Sequence, residues 1–454
     1  MSPSAGTDWR ADVSALLESA KGRVPLAPLV RRAGRVTRAV GLAVESMGPR
    51  VAVGEEVRLE SASGELLSLA EVVGFAGQKV YSMPVDPVRG LKHEDRVVAT
   101  GRHPRIPVGD VLLGRVLDAD GKPLDGRGPV PQGVMRPIHA DPVPAFERPR
   151  IHEPMTTGVR ALDGLITLGR GQRIGIFSGP GVGKSRLLGS IARHASDERI
   201  VIALVGERNR EVREFCESEL GPEGLARSVV FVATSDESAL RRVRCALSAT
   251  TAAEEFRRRG HNVTLLMDSL TRVAMALREI GLSAGEPPST KGYTPSVFAF
   301  LPRLLERAGC EAGGGSLTGI YTVFVEGDDL TDPVSDAAQA ILDGHIVLSR
   351  SLAQRAHYPA IDVLASVSRV MPNVVPREHV QAAQRTRRMM AIYKDAEDLV
   401  AIGAYRPGID PDLDQAVQWH GPIQEFLRQD LSLPTPMHET TARLAAFGSA
   451  AQEQ

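Results

Sequence analysis

A chain of 454 residues with 43% apolar side chains exceeds one small domain and implies two to four, with material for a substantial core. Its 54 Lys and Arg balance 55 Asp and Glu. That balance argues against a protein that works by coating nucleic acid or an anionic membrane, while leaving room for a local basic surface. Cys216, Cys245 and Cys310 lie far apart and form no Cys-x-x-Cys pair, which speaks against a disulfide framework or a cysteine-built zinc site and fits a reducing cytoplasm.

The N-terminus has no apolar stretch behind a basic start, and no run of about 18 apolar residues occurs, so neither a signal peptide nor a transmembrane helix is expected. Any membrane contact would be peripheral. Trp9, Val13, Leu16 and Leu17 recur at helical spacing, giving a short apolar stripe that either docks on a partner or folds back on its own chain. Between Gly34 and about residue 100, short apolar runs (Val36 to Val44, Val57 to Leu59, Leu66 to Val73, Lys79 to Met83) are separated by Gly, Pro and Ser. These read as a small all-β module, a barrel poor in the aromatics that a single-strand nucleic-acid platform needs. The Pro- and Gly-rich stretch Gly101 to Arg150, with its turn Asp118 to Asp125, leads into the next domain. From Gly158 to Val375, strands Ile174–Phe177, Ile200–Val205, Val229–Ala233, Val263–Met267, Ile320–Val325 and Ile346–Leu348 alternate with helical stretches. Continuous apolar strands in that alternation predict a mostly parallel α/β sheet covered on both faces. Past Pro376 the pattern is helical to the end. The expected division is an arm (1–30), a barrel (31–100), an α/β domain (101–375) and a C-terminal helical domain (376–454).

Strand Ile174–Phe177 runs into Ser178-Gly-Pro-Gly-Val-Gly-Lys-Ser185, and Leu187, Leu188, Ile191 and Ala192 mark one face of the helix that follows. Strand, Gly-rich loop and helix in this order make a phosphate cradle of the P-loop (Walker A) type. Gly179, Pro180, Gly181, Val182, Gly183, Lys184, Ser185 and Arg186 would surround the phosphates. Lys184 would bridge the β- and γ-phosphates of ATP and the Ser185 hydroxyl would hold Mg²⁺. The first glycine of the general pattern is here Ser178. Asp268 closes the strand beginning at Val263, where a carboxylate either holds Mg²⁺ or caps the helix from Ser269. Glu207 and Arg208 follow strand Ile200–Val205. There the Glu can activate water and the Arg can reach the γ-phosphate, or the pair is an ordinary surface pair.

Together, Gly179 to Ser185, Gly206-Glu-Arg-Asn-Arg-Glu-Val212 and Met267-Asp-Ser-Leu-Thr-Arg272 resemble the nucleotide-binding core of the rotary ATP-synthase catalytic subunit. Gly285 to Tyr293, Ile341 to Arg350 and His357 to Asp362 are similar to the export ATPases of flagella and type III secretion, and Val72 to Gln78 leans toward the flagellar branch. The resemblance runs from about Gly34 to near the end. Pro180, Asn209 and Thr294 stand where other residues are more usual, and Pro180 stiffens the loop. The resemblance implies Glu207 as general base, Arg208 as γ-phosphate contact, Asp268 as Walker B acid and Arg369 as the arginine finger reaching a neighbouring subunit. It also implies Tyr358 as the aromatic stacked on adenine, with Tyr405 as its second wall. On the sequence alone, Arg369 reads as a solvated or paired arginine and Tyr358 as a core tyrosine before Pro359.

The resemblance further implies an ATP hydrolase that assembles as a homohexamer at the cytoplasmic side of an inner-membrane export apparatus. Its partners would be a stator-like regulator on the N-terminal arm, a coiled-coil stalk in the pore, the export gate and chaperone–substrate complexes, with no nucleic acid. Asp328-Asp-Leu-Thr-Asp-Pro333 is either a turn or a ring of negative charge facing a basic stalk. The C-terminal helices lack the acidic run of the ATP-synthase β subunit, and the chain has no room for the vacuolar-type insertion. Three alternatives stand beside flagellar export: a virulence-type (injectisome) export ATPase, a non-catalytic ring subunit and a ring-shaped RNA translocase. Non-catalytic subunits of the family carry Gln in place of Glu207.

Overall fold

The computed structural model describes residues 13–14, 32–131, 133–325 and 332–447. Most of the N-terminal stripe (Trp9, Leu16, Leu17) and the acidic turn at Asp328 and Asp329 therefore lie outside the described residues. The chain divides into two compact units, residues 1–102 and 103–454.

In the first unit six strands close a barrel: β1 (Ala33–Val40), β2 (Ala43–Met47), β3 (Glu56–Glu60), β4 (Leu66–Ala76), β5 (Lys79–Pro84) and β6 (Arg96–Arg102), in the spatial order β1-β2-β5-β4-β3-β6. The apolar run Val36 to Val44 is two strands, because Gly41 takes φ 59 and folds it into a hairpin. Alternation sends Val36, Val44, Val57, Leu59, Ala70, Val72, Val80 and Val97 into the lumen, which is the core of this unit.

The second unit opens with segments that the sequence presents only as a lead-in. Strand β7 (Arg105–Val108) pairs with β9 (Val134–Pro137), and β8 (Val116–Asp118) adds in parallel to the edge of the main sheet. The small pair β10 (Pro154–Met155) and β11 (Leu168–Gly169) flanks helix α1 (Arg160–Leu165). The main sheet contains β12 (Arg173–Ser178), β13 (Arg199–Glu207), β14 (Ser228–Thr234), β15 (Val263–Asp268), β17 (Ser316–Phe324), β18 (Gly344–Leu348) and β19 (Ile361–Ser368). Its order is β19-β18-β12-β17-β15-β13-β14-β8, with β16 (Gly309–Cys310) hung antiparallel on β17. All the other pairings are parallel except β18 with β19.

Period-2 alternation builds a core on each face. Val201, Ala203, Val205, Phe231, Leu265 and Met267 point to one side, and Ile200, Ile202, Leu204, Val230, Val232 and Leu266 to the other. Each fully buried Val, Leu, Ile, Phe or Met side chain among them stabilises the fold by about 1.5–3 kcal/mol. The first face is covered by α4 (Ala239–Arg258), whose Ala246, Ala249, Ala252 and Ala253 are fully buried and let the helix lie close to the strands. The helix after the P-loop, α2 (Lys184–His194), covers the second face through Leu187, Leu188 and Ile191. The C-terminal helices α7 (Arg377–Ala401), α8 (Pro411–Leu427) and α9 (Met437–Ala446) share that second core through Met389, Ile423, Phe426 and Leu444. They belong to the same compact unit as the sheet. No helix among the described residues is long and apolar enough to cross a membrane.

Candidate functional site

Because β12, β13 and β15 run parallel, their C-terminal tips fall on one edge of the sheet, where Ser178, Glu207 and Asp268 end their strands. The loop leaving β12 turns through Gly181 (φ 76) and Gly183 (φ 88), left-handed conformations that a side chain would strain. Val182 between them is buried and pins the loop to the core. Helix α2 then starts at Lys184 with no side-chain cap, so its first N–H groups remain for an anion. Ser185 and Arg186 are exposed on its first turn.

Strands β17 and β15 separate β12 from β13, a span of roughly 14 Å at ordinary strand spacing. Lys184 crosses it. Its Nζ lies 2.5 Å from Asp268 Oδ1 and 3.6 Å from Glu207 Oε1, so a single cation holds both acids. Burial pushes the Lys184 pKa down, but the facing Asp268 and Glu207 carboxylates outweigh it and the ammonium is held above its ordinary value. Asp268 is buried and accepts a 2.7 Å hydrogen bond from Thr322 Oγ1 on β17. Glu207 is only partly exposed. Burial first, and repulsion by Asp268 second, raise its carboxyl to about 7 against the pull of Lys184. Arg208 is largely exposed and lies 3.6 Å from Glu211 on the helix that follows it, α3 (Asn209–Glu214).

A cavity of about 560 Å³ continues from the P-loop toward the C-terminal helices. Val182, Gly183 and Arg186 line it on the phosphate side, and Tyr358 stands beside Gly183, its ring about 3.6 Å from where a Cβ would be. Tyr358 is 42% exposed, open enough to present a ring face rather than fill a core. Two further walls were not anticipated from the sequence. One is Ser218 and Glu219, in a π-helical turn (Phe215–Leu220) that continues α3. The other is the segment Gln429 to Ser432 after α8. Tyr405, expected as the second wall, is not among the lining residues. Its hydroxyl is committed to Asp414 at 2.6 Å in the turn between α7 and α8.

Arg369 follows β19 and is exposed. Ser368 pairs with Gly344 at the start of β18, whereas Ser178 pairs with Leu348 at its end. On the order of 13 Å of strand thus separates Arg369 from the P-loop edge. Its backbone N–H and guanidinium donate to Asp343 and Leu342 carbonyls at that far end.

The chemistry of the donor set suits a divalent cation that arrives with phosphates. Asp268, Glu207 and the Ser185 hydroxyl could supply oxygen ligands or partners for bound water, and among the described residues no three His, Cys, Asp or Glu side chains form a metal cage by themselves.

Comparisons with known proteins show the family of the chain. Residues 158–368 match the ATP synthase alpha/beta family nucleotide-binding domain, and residues 375–446 match the T3SS EscN ATPase C-terminal domain. The chain is 49% identical over 421 residues to the flagellum-specific ATP synthase of Bacillus subtilis, covering 92% of this chain and 95% of that one. It superposes on the assembled ATPase EscN of the enteropathogenic E. coli type III secretion system with a TM-score of 0.86 at 44% identity, over 90% of this chain and 98% of that one. EscN in complex with its central stalk EscO gives 0.83 at 43% identity, with the same coverage.

Proposed function

Because the chain belongs to the ATP synthase alpha/beta family, in the branch of flagellum-specific ATP synthases and type III secretion ATPases, we propose that it is the ATP-hydrolysing motor of flagellar protein export. The observation that carries the hydrolytic role is the triad at the sheet edge: Lys184 between Asp268 and a Glu207 whose carboxyl titrates near neutrality. A non-catalytic subunit has no use for such an acid.

In this reading ATP lies with its phosphates against Gly179 to Ser185 and its base in the cavity beside Tyr358. Bound Mg²⁺, held by Ser185 and by Asp268 through water, would neutralise phosphate charge during transfer. The Lys184 ammonium stabilises the charge on the β- and γ-phosphates. Thr322 fixes the rotamer of Asp268 by donating to Oδ1, leaving the second oxygen for the site. Glu207 orients the attacking water and takes its proton, and a base with a pKa close to the working pH is matched to that task.

Arg369 is far from its own phosphate loop and exposed, which supports a role in a neighbouring copy's site and hence a homohexameric ring. The central stalk bound by EscN supports a stalk partner here, placed in the pore, and the same reading puts the ring at the cytoplasmic face of the membrane beside the export gate, receiving chaperone-bound substrates. A stator-like regulator would hold the N-terminal arm. The likeness to EscN favours a second reading, injectisome export, that shares the same chemistry.

The test is specific ATPase activity against protein concentration. Activity should climb as rings form, and Arg369→Ala should abolish the climb, since an arginine finger contributes about 10³–10⁵ in rate. Activity independent of concentration would count against assembly of a shared site. Loss of motility in a deletion strain, restored by this gene, separates flagellar from injectisome export.

A further inference from the structure

We propose that Gln429, clasped by Arg160, is a positioning residue that holds the base wall of the cleft in place, with Ser190 holding the same segment at Leu431. The proposal rests on the reading of the cavity as a nucleotide site. The wall is the segment Gln429 to Ser432, which leaves α8 and belongs to none of the phosphate motifs.

Gln429 is buried, and its backbone N–H and both ends of its side-chain amide are hydrogen-bonded. Its backbone N–H donates to the Tyr358 carbonyl at 2.9 Å, tying the wall to the residue proposed to stack on the base. Its Oε1 accepts from the Arg160 backbone N–H at 2.8 Å. Its Nε2 donates to the Gly158 carbonyl at 2.8 Å and to Leu433 O at 2.9 Å. Arg160 closes the clasp from behind. Its guanidinium donates to the carbonyls of Phe426 (2.7 Å) and Arg428 and to Thr435 Oγ1, spanning the segment on both sides. Gly158 sits so close that a Cβ would lie 2.8 Å from Pro434, and its own carbonyl also accepts from Thr435 N–H. On the other side Ser190 Oγ, on the P-loop helix, donates to Leu431 O at 3.0 Å.

The wall is thus fixed at the entry to α1, at Tyr358 and at α2. Arg160 is not a lining residue, so its effect on the cavity can act only through the segment it holds. The consequence is that recognition of the base depends on residues that need not touch it, while the phosphate cradle does not depend on them.

The experiment compares binding of Mg-ATP and of Mg-tripolyphosphate, which has phosphates and no base, to the full-length parent, Gln429→Leu, Arg160→Met and Ser190→Ala. The parent should prefer ATP. In Gln429→Leu and Arg160→Met, ATP affinity should fall about tenfold, the size expected for a lost anchoring network, with tripolyphosphate affinity unchanged. Ser190→Ala, which removes one hydroxyl, should show a smaller loss of the same kind. In turnover, KM for ATP should rise more than kcat falls. Equal preference for the two ligands in the parent would defeat the nucleotide-site reading itself. A parent that prefers ATP, with variants that keep the full preference, would overturn the clasp. So would variants that lose both ligands together, which would make the network a general element of the fold.

Discussion

The two ends of the cleft are built in different ways. The phosphate end comes from the tips of parallel strands of one sheet, and its parts lie within continuous motifs: Gly179 to Ser185, Glu207 and Asp268. The base end is assembled from segments far apart in the chain, the helix start at Gly183, the turn at Ser218, Tyr358 and Gln429 to Ser432. The first end is held by electrostatics, a lysine shared between two acids. The second is held by packing and by hydrogen bonds to carbonyls and hydroxyls, among them those of the Arg160 guanidinium. A local device of this kind tolerates rearrangement of the rest of the unit. An assembled one depends on the placement of α8, from which its Gln429 to Ser432 segment leaves.

This contrast predicts unequal effects of substitution. The largest comes from the phosphate end. Lys184→Ala removes the cation shared by the two acids and should lower kcat/KM by about two to three orders of magnitude, with ATP and tripolyphosphate binding falling together. Equal loss for both ligands marks the residue as phosphate-directed, whereas a loss confined to ATP would place it in the base wall. Tyr358→Ala should act at the other end, raising KM for ATP about tenfold to thirtyfold as base stacking is lost, and leaving tripolyphosphate binding alone. Thr322→Val keeps the shape and removes the hydroxyl that donates to Asp268. It should cost about fivefold in kcat/KM, with a shallower dependence on Mg²⁺ concentration as the sensitive readout. An unchanged Mg²⁺ dependence would make Thr322 a packing residue only.

The same contrast explains what the sequence discloses. Six strands of the main sheet and the phosphate loop are legible because each is a continuous apolar run bounded by Gly or a polar turn, and parallel packing brings their C-terminal acids together. Strand β8 escapes notice because three residues, Val116 to Asp118, carry too little pattern, and their strand character comes from the edge of β14. Thr322 looks like any polar interruption of a strand until the register puts it beside Asp268. Resemblance alone singles out Tyr358, which lines the cavity, and Tyr405, which does not. Nothing in its local sequence signals the Asp414 partner that turns it away. Gln429 and Arg160 stand 269 residues apart and no motif links them.

Whether Glu207 is the base of an ATP hydrolase is read from the pH dependence of kcat/KM, which reports on groups of the free enzyme. A base must be deprotonated to act. Burial and Asp268 raise the Glu207 carboxyl to about 7, so kcat/KM should rise with pH, reach half its plateau near pH 7 and level off above it. Glu207→Gln should still bind ATP, turn over roughly two to four orders of magnitude more slowly and lose that rise. A Gln variant that hydrolyses ATP near the parent rate, or keeps the same pH profile, would contradict the account.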